Sequence, residues 1–385
     1  MDNKLVYLDN AATSFPKPEN VYEAVNRAMR EDCGNPGRSG HKLSLSARRI
    51  VDDARMLCAQ LFNARSPENI IFTNNTTTAL NIAIKGILEN GDHVITSSIE
   101  HNSVSRPLKF MEQNNVEVTK ISADLCSGVD INDIRKAIQP NTRLIVCTHI
   151  SNVTGTVNDI ASIGALCREK GIPFLVDAAQ SAGAKPIDVQ GEQIDMLAFP
   201  GHKGLFGPQG TGGLYVDPGL ELKSLIQGGT GNFSESLTQN MDSMPEKFES
   251  GTLNTPGLAG LAAGIRFILE TGIEQIMRRE TTLTNRLIEG IYSIDGANII
   301  GPGSNTDRGN VVSLRIDNIS AENVALIMDT AFNIAVRGGL HCAADAHRSV
   351  GTLDGGTVRI SPNYMNSEEN IDYCLSAIKA CATGL

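Results

Sequence analysis

The sequence predicts an α/β protein in which a mainly parallel β-sheet is followed by a smaller α+β domain. From about residue 70 to residue 216, short β-rich runs alternate with helical patterns. After residue 295, four further β-rich runs are accompanied by only two helical segments. Alternation of strands and helices is typical of a parallel sheet with helices on both faces. Because such sheets bind ligands beyond the carboxyl ends of their strands, we expect the functional residues there.

Seven β-rich runs define the predicted large sheet. In chain order they are IIFT (70–73), HVITS (93–97), VEVTKI (116–121), RLIVCTHI (143–150), IPFLVDAAQ (172–180), DMLAFP (195–200) and GGLYV (212–216). A helical pattern follows each of the first four runs, as strand–helix–strand units require.

The C-terminal part of the chain is predicted to form the smaller domain. Residues 255–295 are predicted to form two helices that are a candidate hinge. They are followed by the runs ANII, VVSLRI, NIAVR and TVRIS, with helices near 320–331 and 367–381. We expect a large cofactor-binding domain over residues 15–255 and a small domain formed by residues 1–14 with 256–385.

The segment 228–252 is the longest stretch without clear periodicity. Loops of this length inside a compact domain are usually functional or mobile. It is therefore a candidate active-site loop.

Charge and composition argue against several classes of protein. The formal net charge is −10, and no three basic residues are consecutive, whereas nucleic acids and anionic membranes attract basic surfaces. No apolar stretch approaches the roughly 20 residues of a membrane helix, and the N-terminal residues lack the pattern of a signal peptide. We expect a cytoplasmic protein that binds neither nucleic acid nor a membrane.

The eight cysteines show no C-x-x-C pair and no histidine spacing suited to zinc, so we expect no metal site and mostly free thiols. Each cysteine except Cys342 is expected to be a small buried hydrophobic residue.

Two residues that follow predicted strands indicate the chemistry. Asp177 ends the apolar run F-L-V-D, where a carboxylate is costly without a positive partner; helix capping or a structural ion pair would also explain it. Lys203 lies in a glycine-rich loop between apolar residues, and an amine removed from water becomes nucleophilic by losing its proton. A carboxylate for a pyridine nitrogen and a lysine for a Schiff base are the pair that pyridoxal 5′-phosphate (PLP) requires.

A phosphate site is predicted directly after the run IIFT. In N-N-T-T-T-A-L-N (74–81), Asn75 or Thr76 can cap a helix whose first N–H groups point at an anion, and Thr76 and Thr77 add hydroxyl groups. Ordinary helix capping is the alternative. His101 follows the next run, where it would face the same crevice and stack on a cofactor ring, unless it is a hydrogen-bonded histidine of the core or of a loop.

Eight motifs in this order resemble those of the class V aminotransferase family, and within it the cysteine desulfurase and selenocysteine lyase branch. They are D-N-A-A (9–12), N-N-T-T-T-A-L-N (74–81), E-H-N (100–102), S-N-V-T-G-T (151–156), V-D-A-A-Q (176–180), G-H-K (201–203), F-E-S-G-T (248–252) and R-G-G-L-H-C (337–342). The resemblance extends from about residue 6 to residue 380. The short R-x-G-x-H-C context of Cys342 is similar to that of SufS-like (type II) enzymes rather than IscS-like (type I) enzymes.

The resemblance implies fold type I of the PLP enzymes, with a seven-stranded sheet, and assigns cofactor contacts. Lys203 would form the Schiff base and move protons, and Asp177 would pair with the pyridinium nitrogen. His101 would stack on the ring, Gln180 would bind the ring hydroxyl, and Asn152 would lie beside the cofactor and the substrate.

The resemblance also implies the phosphate contacts. Thr76, Thr77 and His202 would hold the phosphate, and Thr252 would reach it from a second subunit, which implies a homodimer. Family members commonly have Ser or Thr where this chain has Pro200, which offers neither a hydroxyl nor an N–H group. One phosphate contact is therefore expected to be missing or replaced.

The implied activity is that of a PLP-dependent cysteine desulfurase. Arg359 would clamp the substrate carboxylate in bidentate fashion, with Arg337 as a further substrate contact. Cys342 would attack the substrate sulfur and become a persulfide, with His341 and Arg337 favouring its thiolate. Alanine would be released, and a sulfur-acceptor protein or small thiol would take the sulfur.

Two other functions are compatible with these residues. L-selenocysteine in place of L-cysteine would make the protein a selenocysteine lyase, or another class V C–S lyase, on the same scaffold. A thiol sensor or sulfur carrier that uses Cys342 without PLP is the alternative from a different class.

Overall fold

The computed structural model describes residues 5–37, 39–230 and 244–384. Its helices are α1 (Glu19–Glu31), α2 (Lys42–Leu61), α3 (Thr76–Ile87), α4 (Asn102–Glu112), α5 (Ile131–Ala137), α6 (Ile160–Lys170), α7 (Thr255–Thr271), α8 (Ile273–Tyr292), α9 (Ala321–Phe332), α10 (Ala344–Ser349) and α11 (Glu368–Thr383). Its strands are β1 (Val6–Tyr7), β2 (Ile70–Thr73), β3 (His93–Ser97), β4 (Glu117–Ile121), β5 (Ala123–Asp124), β6 (Gly128–Val129), β7 (Thr142–Thr148), β8 (Phe174–Asp177), β9 (Met196–Pro200), β10 (Gly212–Val216), β11 (Ala297–Ile300), β12 (Val312–Ile316), β13 (Ile334–Ala335), β14 (Arg337–Gly339) and β15 (Thr357–Ile360). None of the helices in these described ranges is long and apolar enough to cross a membrane.

The large sheet has seven strands in the order β2-β10-β9-β8-β7-β3-β4. Strands β3, β4, β7, β8 and β9 pair in parallel, and β10 is antiparallel to both β9 and β2. The prediction of a mainly parallel seven-stranded sheet is therefore confirmed.

Alternate residues of the central strands enter different hydrophobic clusters. In β8, Phe174 and Val176 pack in one cluster with residues of α2, α6 and α7, whereas Leu175 packs in another with residues of α3 and α4. Because a strand points successive side chains to opposite faces, both faces of the sheet are covered by helices. This explains why its strands are nearly continuous apolar runs.

The second sheet has the order β11-β12-β15-β14 and is antiparallel. It shares a third hydrophobic cluster with α8, α9 and α11. Strand β1 pairs in parallel with β13, and Val6 and Leu8 belong to the same cluster. This packing is compatible with a small domain that includes the N-terminal residues, although the division at residues 15 and 255 stays a prediction.

The candidate loop 228–252 is described only at its two ends, because residues 231–243 lie outside the described residues. The ends meet where Gly251 N donates to the carbonyl of Gly229 at 2.9 Å.

Candidate active site

One open cavity of about 500 Å³ lies beyond the carboxyl ends of β2, β3, β7, β8 and β9. It is lined by Asn75, Thr76, Thr77, His101, Ser103, Thr148, Ile150, Asn152, Asp177, Ala179, Gln180, Pro200, His202 and Lys203. The sequence had placed eight of these residues in a cofactor site from separate motifs. The structure brings them together because the strands that precede them are parallel.

Asp177 is the last residue of the central strand β8 and is buried. Its Oδ1 accepts a hydrogen bond from the backbone N–H of Ala179 at 2.9 Å. Burial raises the pKa of this carboxyl to about 6, while the Ala179 hydrogen bond and the charge of Lys203 act in the opposite direction. A carboxylate at the base of a cavity with a cation nearby can hold a heteroaromatic nitrogen protonated.

Lys203 follows β9 in a loop that requires glycine. A side chain at Gly201 would come within 2.1 Å of Thr211 Oγ1, so only glycine lets the chain pass there. Burial, followed by the charge of Arg359, lowers the pKa of Lys203 to about 8, whereas the charge of Asp177 raises it. About a tenth of this amine is therefore unprotonated at pH 7, far more than for an ordinary lysine, and the unprotonated form is the nucleophile.

The N-terminus of α3 provides the predicted anion site. Asn75 caps the helix, and its Oδ1 accepts from Thr78 N at 2.9 Å. The backbone N–H groups of Thr76 and Thr77 lie in the first turn, where no intrahelical acceptor exists. These N–H groups and the positive end of the helix dipole favour an anion such as phosphate.

Ser103, which the sequence analysis missed, links this helix end to His101. Its hydroxyl lies 2.8 Å from Thr77 Oγ1 and 2.9 Å from His101 Nδ1. Since His101 Nδ1 also accepts from Ser103 N at 3.0 Å, the ring is fixed with its other nitrogen free to carry the proton. Burial, followed by the charge of Lys203, lowers the pKa of His101 to about 4, so the ring is neutral at physiological pH.

His202 and Gln180 complete the rim of the cavity. The His202 carbonyl is held by Ser14 N at 3.0 Å and by Thr13 Oγ1 at 3.1 Å. Its Nδ1 is buried without a partner among the described residues. Gln180 Nε2 donates to the carbonyl of Ala11 at 3.1 Å.

Arg359, on β15 of the second sheet, is buried and contacts Asn152, which lines the cavity. Its Nη2 donates to Asp9 Oδ1 at 2.9 Å and its Nη1 to the Asn152 carbonyl at 3.3 Å. Its Nε has no partner in the described structure. Asp9 belongs to the D-N-A-A motif, but its role could not be assigned from sequence because Arg359 lies 350 residues away.

Cys342 is exposed on the turn between β14 and α10. Cys33 and Cys126 are exposed as well, so the prediction that every cysteine except Cys342 is buried is wrong for these two. The carbonyl of Cys342 accepts from Asn102 N at 2.8 Å, and the carbonyl of His341 accepts from Asn152 Nδ2 at 2.8 Å. Arg337 Nη2 lies 3.5 Å from Cys342 Sγ. The sulfur therefore has a cation beside it, and its backbone is tied to two of the loops that surround the cavity.

His341 differs from the prediction that its charge assists the thiolate. It is buried, and its Nε2 is 3.0 Å from Thr357 Oγ1. Burial, followed by the charge of Arg359, lowers its pKa to about 2. The ring is therefore neutral near pH 7, and of the two predicted helpers only Arg337 carries a charge.

Thr252 does not lie in this cavity. It lines a separate one of about 670 Å³ with Thr73, Asn74 and Gly210 among its neighbours. Within one chain, Thr252 is thus placed apart from the other predicted phosphate contacts.

The groups around the cavity fit PLP. The first turn of α3 offers N–H donors for a phosphate, Asp177 offers a carboxylate for the ring nitrogen, and Lys203 offers an amine for the aldehyde. His202 Nδ1, which has no partner among the described residues, is available at the rim of the cavity for a ligand. Among the described residues, no cluster of three or more His, Cys, Asp or Glu side chains is arranged to hold a metal ion.

Known proteins resemble the chain over nearly its full length. A probable cysteine desulfurase of Methanothermobacter thermautotrophicus is 39% identical over 95% of this chain and 92% of its own length. The cysteine desulfurase IscS of Vibrio campbellii is 32% identical over 99% of this chain and 93% of its own. The apo structure of a cysteine desulfurase from Thermococcus onnurineus matches with a TM-score of 0.93 and 33% identity, covering 100% of this chain and 96% of that one.

The model of the class-V aminotransferase family matches residues 6–374. This range contains both sheets and every residue of the cavity. The chain therefore belongs to the class-V aminotransferase family.

Proposed function

We propose that this protein is a PLP-dependent cysteine desulfurase that converts L-cysteine to L-alanine and leaves the sulfur as a persulfide on Cys342. The proposal rests on the hydrogen bond that connects the turn carrying Cys342 to a residue that lines the cavity. Asn152, which lines the cavity, holds the carbonyl that precedes Cys342. This contact connects the turn that carries the thiol to the cavity that Lys203 and Asp177 line.

The cofactor would be held by the residues that line the cavity. Thr76, Thr77 and His202 would bind the phosphate, and Asp177 would face the ring nitrogen. Pro200 lines the cavity without a donor, so the neighbouring helix N-terminus would provide most of the phosphate binding. His101 would cover the ring, with Gln180 at its hydroxyl and Asn152 beside it.

When bound, PLP supplies an electron sink that makes the α-proton of an amino acid acidic. Lys203 Nζ is the base for that proton, since its pKa of about 8 leaves part of it unprotonated near neutral pH. His101, neutral and fixed through Ser103, shields the site from water without adding charge.

The substrate would be oriented by the two arginines. Arg359 has an Nε without a partner in the described structure and an Nη2 bound to Asp9, so a carboxylate can join it or displace Asp9. Arg337 and Arg359 lie opposite each other on the neighbouring antiparallel strands β14 and β15. Together they provide a positive environment for a carboxylate.

Sulfur transfer would be the work of Cys342. Its thiolate attacks the substrate sulfur, so that an S–S bond forms while the Cβ–S bond breaks. The electron pair of the broken bond stays on the β-carbon, which takes a proton and becomes the methyl group of alanine. Arg337 stabilises the anionic sulfur before the attack.

Further features of the proposal are a SufS-like (type II) subtype, a homodimer in which Thr252 serves the partner's site, and a cytoplasmic location. The subtype is supported by the short turn, because Cys342 follows β14 (Arg337–Gly339) by three residues. A sulfur-acceptor protein or small thiol would then remove the persulfide sulfur.

Alanine formation from cysteine and from selenocysteine, measured in parallel, tests this function. We expect Cys342→Ala to abolish alanine formation from cysteine while leaving selenocysteine turnover, because a selenol is a better leaving group. Cys126→Ala, at another exposed cysteine, is the matched control and should retain both activities. Full activity of Cys342→Ala on cysteine would refute the persulfide step, and activity on selenocysteine alone in the unaltered protein would favour the selenocysteine lyase.

A further inference from the structure

The turn that carries Cys342 rests on a pair of buried histidines. His341 directly precedes Cys342, and His347 lies in α10. Their side chains are almost completely inaccessible, with residue exposures of 2% and 0%. The ring centroids are 5.5 Å apart and the rings are tilted by 45°, so the two rings pack directly against each other.

Each ring is oriented by one threonine hydroxyl. His341 Nε2 lies 3.0 Å from Thr357 Oγ1, and His347 Nδ1 lies 2.7 Å from Thr352 Oγ1. His341 Nδ1 has no partner in the described part of the chain, whereas His347 also has a backbone hydrogen bond to Leu340, two residues before Cys342. Burial lowers the pKa of both rings, and two neutral rings can pack closely without charge repulsion.

The turn above this pair has an unfavourable backbone conformation. His341 and Cys342 have φ values of 49° and 58°, in the left-handed region that side-chain-bearing residues avoid. Two consecutive residues of this kind persist only when their surroundings hold them. Asn152 and Asn102 hold the two carbonyls, and the ring of His347 packs against the ring of His341.

We propose that His347 is a positioning residue for sulfur transfer: through the ring of His341 it fixes the turn so that Cys342 Sγ stays beside Arg337. This role rests on the proposed function for its purpose, but the positioning itself is a property of the folded chain. His347 touches neither substrate nor cofactor in this account.

His347→Asn tests the proposal, because Asn keeps a polar atom for Thr352 and removes the ring that touches His341. The matched control is His93→Asn. His93 is also buried and bonded to threonines, at 2.8 Å from Thr142 Oγ1 and 2.9 Å from Thr119 Oγ1, but it lies at the amino end of β3, away from the site.

The first measurement is the rate at which iodoacetamide alkylates Cys342, followed by mass spectrometry of the peptide. Cys33 and Cys126 are also exposed and serve as internal references in the same sample. We expect His347→Asn to slow alkylation of Cys342 about tenfold relative to these two cysteines, because Sγ would move away from the Arg337 cation that favours the reactive thiolate. His93→Asn should leave the ratio unchanged.

The second measurement separates positioning from general damage to the enzyme. In His347→Asn holoenzyme, exchange of the cysteine α-proton with solvent deuterium should continue at the rate of the unaltered protein, while persulfide formation on Cys342 slows. An unchanged alkylation ratio in folded His347→Asn, or an equal loss in both variants, would overturn the proposal. Thr352→Val, which removes only the hydroxyl that orients His347, should shift the ratio in the same direction and decides the matter if His347→Asn does not fold.

Alkylation of Cys342 needs neither cofactor nor turnover. The positioning role of His347 and the proposed desulfurase activity can therefore be refuted independently of each other. If the unaltered holoenzyme forms no alanine from cysteine, the proposed function is refuted, yet the alkylation ratio still reports whether His347 positions Cys342.

Discussion

At the scale of single residues, the protonation of Lys203 should control how fast the protein takes up PLP. Only the unprotonated amine attacks an aldehyde, and burial with the charge of Arg359 lowers the pKa of Lys203 from 10.5 to about 8. We expect the uptake rate of cofactor-free protein, followed by visible absorbance, to rise with pH and to level off above about 8. Lys203→Ala should abolish this phase, and a midpoint near the ordinary lysine pKa would contradict the described site.

Glu100 should make the protein less stable as pH rises. Its Oε1 accepts from Thr148 N at 2.9 Å and from Ser97 Oγ, while its Oε2 is buried without a partner among the described residues. Burial raises its pKa from 4.5 to about 8, so between these values the unfolded chain is ionised while the folded chain keeps the proton. The free energy of unfolding therefore falls over this window, by at most about 1.4 kcal/mol per pH unit.

Glu100→Gln provides the reference for that measurement, because Gln keeps the acceptor at Oε1 and cannot ionise. Denaturant unfolding at several pH values should show that the free energy of unfolding of the variant rises relative to that of the unaltered protein between about pH 4.5 and about pH 8. A difference that does not change with pH would show that Glu100 is ionised in the folded state.

The residues that sequence reasoning could assign are those that follow strands in recognisable motifs. Asp177 and Lys203 belong to this group, because strand ends are visible as breaks in apolar runs. Asp9 and Ser103 do not, since their roles depend on Arg359 and Thr77 and leave no local pattern. The prediction that His341 helps Arg337 to favour the Cys342 thiolate was wrong for His341, because its burial cannot be read from an isolated H-C pair.

At the scale of elements, an ion pair fastens α2 to the segment before α7. Arg55 Nη2 and Glu249 Oε2 are 2.8 Å apart, with side-chain exposures of 8% and 7%, and Glu249 Oε1 also accepts from Phe72 N at 2.6 Å. We expect Glu249→Ala to lower the free energy of unfolding by about 3–5 kcal/mol, because it leaves a buried guanidinium unpaired. Glu89→Ala, at an exposed pair with Lys223, is the control and should change little; equal effects in both would refute this assignment.

The elements themselves followed closely from periodicity, with differences at their ends. The run predicted as 172–180 is a strand only over Phe174–Asp177, because the chain turns where Ser181 N donates to the carbonyl of Ala178 at 3.1 Å. The run NIAVR is divided between β13, which pairs with β1, and β14, which pairs with β15. Such divisions depend on partners from distant parts of the chain and cannot be predicted locally.

At the scale of the whole molecule, the packing of α7 bears on the predicted domain boundary at residue 255, which stays a prediction. Its buried residues, such as Leu261 and Ile265, belong to the same cluster as the core of the large sheet, whereas Leu283 and Leu287 of α8 belong to the cluster of the second sheet. The proposed hinge would then lie close to Gly272, between the two helices.

The proposed dimer predicts that Thr252 acts across the subunit interface. Hybrids of Lys203→Ala and Thr252→Ala subunits would contain one site with both residues intact, because Lys203 and Thr252 would come from different chains. We expect that site to bind PLP as tightly as the unaltered protein does, as measured by cofactor retention during dialysis. If no site of the hybrids retains PLP as tightly as the unaltered protein does, Thr252 either serves the site of its own chain or lies outside the phosphate site.

The proposed function depends on a Schiff base between PLP and Lys203, with the cofactor ring nitrogen facing Asp177. Borohydride reduction of the cofactor-loaded protein, followed by peptide mass spectrometry, tests it most directly, because reduction makes the link to the amine permanent. The most informative competitor is Lys17, whose pKa burial also lowers to about 8 and whose Nζ lies near the His202 carbonyl. We expect the cofactor mass on the peptide that contains Lys203, whereas a cofactor mass on the peptide of Lys17, or on no lysine, would refute the assignment of Lys203.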